Sequence, residues 1–226
     1  MKVIVATGNA HKLVEIKQIT SKLGWEVVSQ VEAGLGDIDV EETGTTFEEN
    51  SLLKAKEISK ITGLPTIADD SGLAVDYLDG APGVYSARYS GWDGPRSEVD
   101  VHNNDKLLYE MRDAKPAIIG SDGYTEDKGE RSARYVSVIT LYIPAVASDL
   151  GDSGDSDATV IVARGECEGV MLTERHGDGG FGYDPLFLPD GQTATFAQMG
   201  LDEKNKISHR AKALAKLEKQ IEGSNL

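Results

Sequence analysis

The sequence predicts a mixed α/β fold (α+β), a central mixed sheet with helices packed on it, and three observations carry that prediction. Short apolar strand runs such as KVIVAT (2–7) alternate with amphipathic helical stretches from the first residues onward. Two long β-rich runs, ARYVSVITLYIPAVA (133–147) and ATVIVARGECEGVM (158–171), follow one another and suit a hairpin. Helical and strand patterns intermingle along all 226 residues, with no clean boundary between independent domains.

Taken in order, KVIVAT reads as a buried strand and Asn9 as the N-cap of a helix whose apolar stripe is Leu13, Ile16, Thr20 and Leu23. VVSQV (27–31) is a second strand. EETGTT (41–46) is a polar turn before a helix from about Phe47 to Thr62, stopped by Gly63 and Pro65. TIA (66–68) and LAVDY (73–77) read as short strands flanking a DDSG turn. Residues 97–113 form a helix with Val101, Leu107, Leu108 and Met111 facing the core. SDLGDSGDSD (148–157) is a polar surface loop, HGDGGFGYDP (176–185) is glycine-rich, and the C-terminal segment carries an apolar stripe of Ile207, Ala211, Leu214, Leu217 and Ile221.

Composition narrows the function classes. A formal net charge of −15 lacks the basic footprint that nonspecific nucleic-acid binding needs. A small anionic ligand stays compatible with it, because a local basic pocket outweighs distant charge screened over roughly 8 Å. No apolar run reaches the length of a membrane span, and the apolar part of the N-terminus is too short for a signal peptide. The lone Cys167 excludes an internal disulfide framework and suits a reducing cytosol, so a cytoplasmic protein is expected. Four scattered histidines (His11, His102, His176, His209) show no zinc-ligand spacing.

Several stretches could carry chemistry. The TGN turn delivers a strand into a helix start, where free N–H groups and the helix dipole favour an anion. Thr7 adds a hydroxyl, Gly8 allows close approach and Lys12 adds charge; an ordinary capped helix with a surface lysine would look the same. Neither standard nucleotide fingerprint is present. Lys54 falls on the inward arc of its helix with Phe47, Ala55, Ile58 and Ile61, either snorkelling to solvent or reaching an anion. Phe181 in the glycine-rich loop offers a face on which a base could stack. Lys204, Lys206, His209 and Arg210 gather donors at the start of the last helix, with Ser208 as a candidate N-cap.

The adjacent acids Asp69 and Asp70 suit either a solvated turn or a cation site. On an extended segment they point to opposite faces, so one would serve a metal and an attacking water while the other buttresses the chain. Mg²⁺ takes one or two carboxylates and leaves other positions to water and phosphate, and Glu41 or Glu42 could supply the second.

TGNAHKLVE (7–15), FEENSLLKA (47–55), ADDSGLAVDYLDGAPGVYSARYSG (68–91), GGFGYDPLF (179–187) and EKNKISHRAKAL (203–214) resemble, in order, the motifs of the house-cleaning inosine/xanthosine triphosphate pyrophosphatases. The resemblance implies one domain over 1–226, an elongated mixed sheet with two lobes around an active-site cleft, a homodimer and Mg²⁺ dependence. It implies hydrolysis of ITP, dITP and XTP to the monophosphate and pyrophosphate. By motif, Thr7, Gly8, Asn9, Ala10, His11, Lys12 and Lys54 would hold the triphosphate, and Asp70 would be the catalytic base. Glu41 and Asp70 would place the metal, and Ser71 would lie against the substrate. Phe181, Gly182, Tyr183 and Asp184, joined by Lys204, His209 and Arg210, would form the base pocket. Residues 120–135 and 148–157 are longer than the family pattern. A pyrophosphatase for modified pyrimidine triphosphates, and a nucleotide sensor without catalysis, are the alternative readings.

Overall fold

The computed structural model describes residues 1–20, 24–145 and 158–224. In chain order the elements are β1 (Lys2–Ala6), α1 (Ala10–Thr20), β2 (Glu26–Ser29), α2 (Phe47–Thr62), β3 (Thr66–Val75), α3 (Val99–Glu110), β4 (Ile118–Ile119), β5 (Thr125–Asp127), β6 (Ser132–Ile143), β7 (Thr159–Met171), β8 (Phe187–Pro189), α4 (Leu201–Ile207) and α5 (His209–Glu222). The mixed α/β class is as the sequence predicts. One sheet has six strands in the order β2-β1-β3-β6-β7-β8, and β4 pairs with β5. β1 runs parallel to β2 and to β3, while β7 and β8 are antiparallel, so the sheet is mixed.

The chain divides into two compact units, the first comprising residues 1–70, 137–165 and 210–226, the second 71–136 and 166–209. In the first unit β1 is buried on both faces, which is why its sequence is a continuous apolar run. Val3 and Val5 pack with Ile16, Ile67, Ile139, Leu141, Leu214 and Leu217. Ile4 and Ala6, pointing the other way, pack with Ala55, Ile58, Ala68 and Tyr142. The second unit is built around Leu73, Leu107, Met111, Tyr135, Phe187 and Phe196.

Helix α2 spans Phe47–Thr62 as expected. Thr46 caps it in a capping box with Glu49, and Gly63 ends it in the left-handed region with its N–H on the Ser59 carbonyl. Three expectations are corrected. The DDSG segment is no turn: β3 continues through it from Thr66 to Val75, because the cost of two acids inside a buried strand is met by cations described below. Val101 and Ile61 are exposed. In place of Val101, α3 buries Asn103 and Asn104, whose amides bond main-chain groups, Asn103 those of Ser86 and Ser90 and Asn104 those of Asp100 and Gly182. Ser208, extended, sits just before α5 at the position expected of an N-cap, and Lys204 and Lys206 lie on a separate short helix, α4. Leu23 and the 148–157 loop lie outside the described residues.

Candidate active site

The N-terminal turn is built as its sequence suggests. Asn9 N–H donates to Thr7 Oγ1 (3.1 Å), and Lys12 N–H donates to Asn9 Oδ1 (3.2 Å), which caps α1. Ala10 and His11 open the helix. A Cβ on Gly8 would meet no atom within 4 Å and its φ is not left-handed, so neither packing nor backbone demands a glycine there. The space beside the turn is open.

From this turn Lys12 Nζ reaches Asp69 Oδ2 at 2.9 Å. Asp69 is fully buried and also accepts from Ser137 Oγ (2.5 Å) and from Arg210 Nη2 (3.2 Å). Arg210, itself buried, turns its Nη1 to the buried Glu15. Burial opposes charge on Asp69, but Arg210 and then Lys12 outweigh it and hold the carboxyl well below its usual range. Lys12 is lowered, because its burial is only partly offset by Asp69.

Asp70 belongs to a different set of charges. Its Oδ1 lies 2.9 Å from Lys54 Nζ, which also bonds Glu42 Oε1 (2.8 Å) and the Asp69 carbonyl (3.0 Å). Burial pulls the Lys54 ammonium down, yet Asp70 and Glu42 together raise it. Asp70 is raised, since burial exceeds what Lys54 returns and Glu42 adds repulsion. Asp70 Oδ2 is buried with no hydrogen-bond partner among the described residues. Of the two acids in the 41–46 turn, Glu42 meets Lys54 and Glu41 is exposed.

A divalent cation fits this donor set. Three cations (Lys12, Lys54, Arg210) face four carboxylates (Glu15, Glu42, Asp69, Asp70) in these pairs, and Asp70 Oδ2 is left buried and unbonded among the described residues. Among the described residues no three His, Cys, Asp or Glu side chains gather as a metal cage. One or two carboxylates are what Mg²⁺ uses when substrate phosphates complete its shell.

The second unit assembles the glycine-rich loop around Asp184. Its Oδ2 accepts from Lys204 Nζ (2.7 Å) and from Phe181 N–H (3.0 Å). The ammonium of Lys204 lies over the Phe181 and Phe196 rings, 4.5 and 5.2 Å from their centroids. Gly182 donates to Asp100 and accepts from Asn104, and Tyr183 OH donates to the Ser86 carbonyl. A Cβ on Gly180 would strike Asp184 Oδ2 at 2.2 Å, and its φ of +71° is left-handed, so this glycine is required twice over. Ser71, part-exposed on β3, is the chain neighbour of Asp70.

The structure thus sets Lys12 and Arg210 on Asp69 and Lys54 on Asp70, and gathers Phe181, Asp184 and Lys204 in another cluster with His209 through Tyr135. Sequence reasoning put Arg210 with the base-recognising donors; its guanidinium is committed to Glu15 and Asp69. It also missed Glu15, Ser137 and Tyr135. For Glu15 there was a signal, an acid three residues after Lys12 and so on the same helix face. For the other two there was none beyond their inward register on β6.

The Ham1 family model matches residues 3–220. A dITP/XTP pyrophosphatase of Haemophilus ducreyi is 44% identical over 220 residues, 97% of this chain and 98% of that protein. One of Clostridium perfringens is 44% identical over 228 residues, covering 98% of each. Among solved structures, a HAM1 protein from Coxiella burnetii superposes with a TM-score of 0.77 at 33% identity, covering 99% of this chain and all of the other. The Staphylococcus aureus Ham1 protein gives 0.74 at 33% identity, covering 99% of each chain. With a model match over nearly its whole length and relatives this similar end to end, the chain belongs to the Ham1 family.

Proposed function

We propose that this protein hydrolyses the non-standard purine nucleoside triphosphates ITP, dITP and XTP to the monophosphate and pyrophosphate, with Mg²⁺ as cofactor. The observation that carries the chemistry is Asp70: a buried carboxylate with one oxygen on Lys54 and the other unbonded among the described residues. The relatives named dITP/XTP pyrophosphatases support the substrate class.

Asp70 and an acid of the 41–46 turn would hold the metal; motif position selects Glu41, and the ion pair with Lys54 favours Glu42. Bound there, Mg²⁺ would supply charge neutralisation on the triphosphate. The N–H groups of the Thr7–Lys12 turn and the ammonium groups of Lys12 and Lys54 take the phosphate oxygens, in the open space beside Gly8. Asp70 Oδ2 orients the attacking water and accepts its proton. The bond between the α and β phosphates breaks and pyrophosphate leaves. A carboxyl raised by burial is a better base than an ordinary one.

On the base side, the Phe181 ring offers a stacking face. Lys204 and His209 donate to the keto oxygen at C6 of inosine or xanthosine. Adenine places an amino donor there and would leave buried donors unmatched, which discriminates strongly. Ser71 contacts the substrate from the position next to Asp70. We further infer that 1–226 acts as a single two-lobed domain in a cytoplasmic homodimer, a reading that rests on the motif resemblance and the lone cysteine.

The test is pyrophosphate release from ITP, XTP, dITP, GTP, ATP, dUTP and dTTP, with Mg²⁺ and with chelator. Release confined to ITP, XTP and dITP, and lost with chelator, is expected. Release from the pyrimidines, or from none, would overturn the proposal.

A further inference from the structure

Tyr135 is the residue around which the second unit's cluster is organised, and no motif includes it. It lies on β6 and is 7% exposed. Its ring stacks on His209, with centroids 4.8 Å apart and planes 10° from parallel, and its edge meets Phe187 at 4.9 Å. Its hydroxyl accepts the Tyr183 N–H at 3.1 Å, and the charge of the neighbouring Asp184 adds to the burial that raises the phenol. Asp184 in turn holds Lys204 Nζ and the Phe181 N–H. One side chain therefore fixes the plane of the His209 ring through its face, and the loop that carries Phe181 and Lys204's counter-ion through its oxygen.

Resting on the base-pocket reading above, we infer that Tyr135 is a specificity-determining positioning residue, which sets the orientation of His209 and of Asp184 and so the discrimination between purine bases. The physical reason is directional. Hydrogen bonds weaken steeply with angle, so a donor that tilts by a few tens of degrees reads a keto oxygen less well. A side chain locked by its neighbours makes the distinction that a loose one cannot. The hydroxyl accepts from the main chain next to the Asp184 carboxylate, and a phenyl ring would fill the same space without that bond. Tyr135→Phe thus separates the oxygen's contribution from the ring's.

The experiment compares kcat/KM for ITP, XTP, GTP and ATP, with melting temperature, for the wild-type chain, Tyr135→Phe, Tyr135→Leu, His209→Ala and the Leu/Ala double variant. Tyr135→Phe is expected to lower the ITP-to-ATP preference at least about fivefold, mainly through KM for ITP. Tyr135→Leu is expected to lower it further, and adding His209→Ala should then cost less selectivity than it does alone, because coupled residues are non-additive. A folded Tyr135→Phe with unchanged preference would overturn the inference. So would an equal loss on all four nucleotides, the mark of a merely structural residue. If Tyr135→Phe does not fold, Tyr135→His, which keeps a ring and a hydrogen-bonding edge, is judged by the same preference. A wild-type protein that turns over no purine triphosphate would overturn the functional reading and this inference together, and it would be seen before any variant is compared.

Discussion

Asp69 and Asp70 are neighbours on β3, and each carboxylate meets a different lysine at the same distance: Asp69 lies 2.9 Å from Lys12, Asp70 2.9 Å from Lys54. Strand alternation sends the two side chains to opposite faces. The first is saturated by donors and charged under all ordinary conditions; the second keeps a buried oxygen that no described residue bonds. The two positions should therefore fail in different ways when altered.

Replacing Asp70 with Asn would remove the proposed proton acceptor while keeping the shape. Pyrophosphate release from ITP should fall by about 10²–10⁴-fold, the range expected for a lost general base. Calorimetric titration should still detect ITP binding. Turnover near the wild-type rate would contradict the role.

Asp69→Asn should act on stability. It leaves Lys12 and Arg210 buried against a neutral amide, and breaking a buried ion pair this way costs about 3–5 kcal/mol. Because the folded carboxyl is held below its ordinary value of 3.8, its stabilising contribution is present above that pH and is lost as pH falls through the lowered value. Denaturant midpoints between pH 2 and 7 should show a steeper acid loss for the wild type than for the variant.

His209→Ala and Arg210→Lys should separate although the residues are adjacent. The first is expected to relax base preference. The second replaces a guanidinium that spans Glu15 and Asp69 with a point charge that cannot bridge both. Its effect should appear as a lower melting temperature and an equal loss on all nucleotides. A shift in base preference for Arg210→Lys would instead put its guanidinium on the substrate.

Gly72→Ala tests the continuity of β3. An added Cβ would lie 2.4 Å from Ser86 Oγ and 2.5 Å from the Gly83 carbonyl oxygen, and main chain gives way at greater cost than a side chain. A loss of about 1–3 kcal/mol is expected in thermal or denaturant unfolding.

Local chemistry was the legible part of the sequence. The ends of α2 could be read because Gly63 and Pro65 stop a helix whatever surrounds it, and Asn9 announces a cap within three residues of the N–H it binds. Distant compensation could not be read. DDSG suggested a turn because the groups that permit two acids in a buried strand come from Lys12, Lys54, Ser137 and Arg210. The apolar stripe on α3 misplaced Val101 because two asparagines were bought into the interior by main-chain partners outside the helix's own pattern, Ser86, Ser90 and Gly182. Motif spacing singled out Lys12, Lys54 and the Phe181–Asp184 loop, yet it was silent on Tyr135, whose neighbours come from residues 183, 184, 187 and 209.

The charge network in the first unit has a consequence for synthesis. Asp69 and Arg210 are separated by 141 residues, and Glu15 and Arg210 by 195. A ribosome that has made β1, α1 and β3 has laid down two buried acids whose shared guanidinium does not yet exist. Until residue 210 has left the exit tunnel, that half of the nascent protein lacks the guanidinium that bridges Glu15 and Asp69 where its core should close. Stalled or truncated chains should therefore remain open, accessible to proteases and chaperones, and the Thr7–Lys12 turn should reach its final form only at the end of translation.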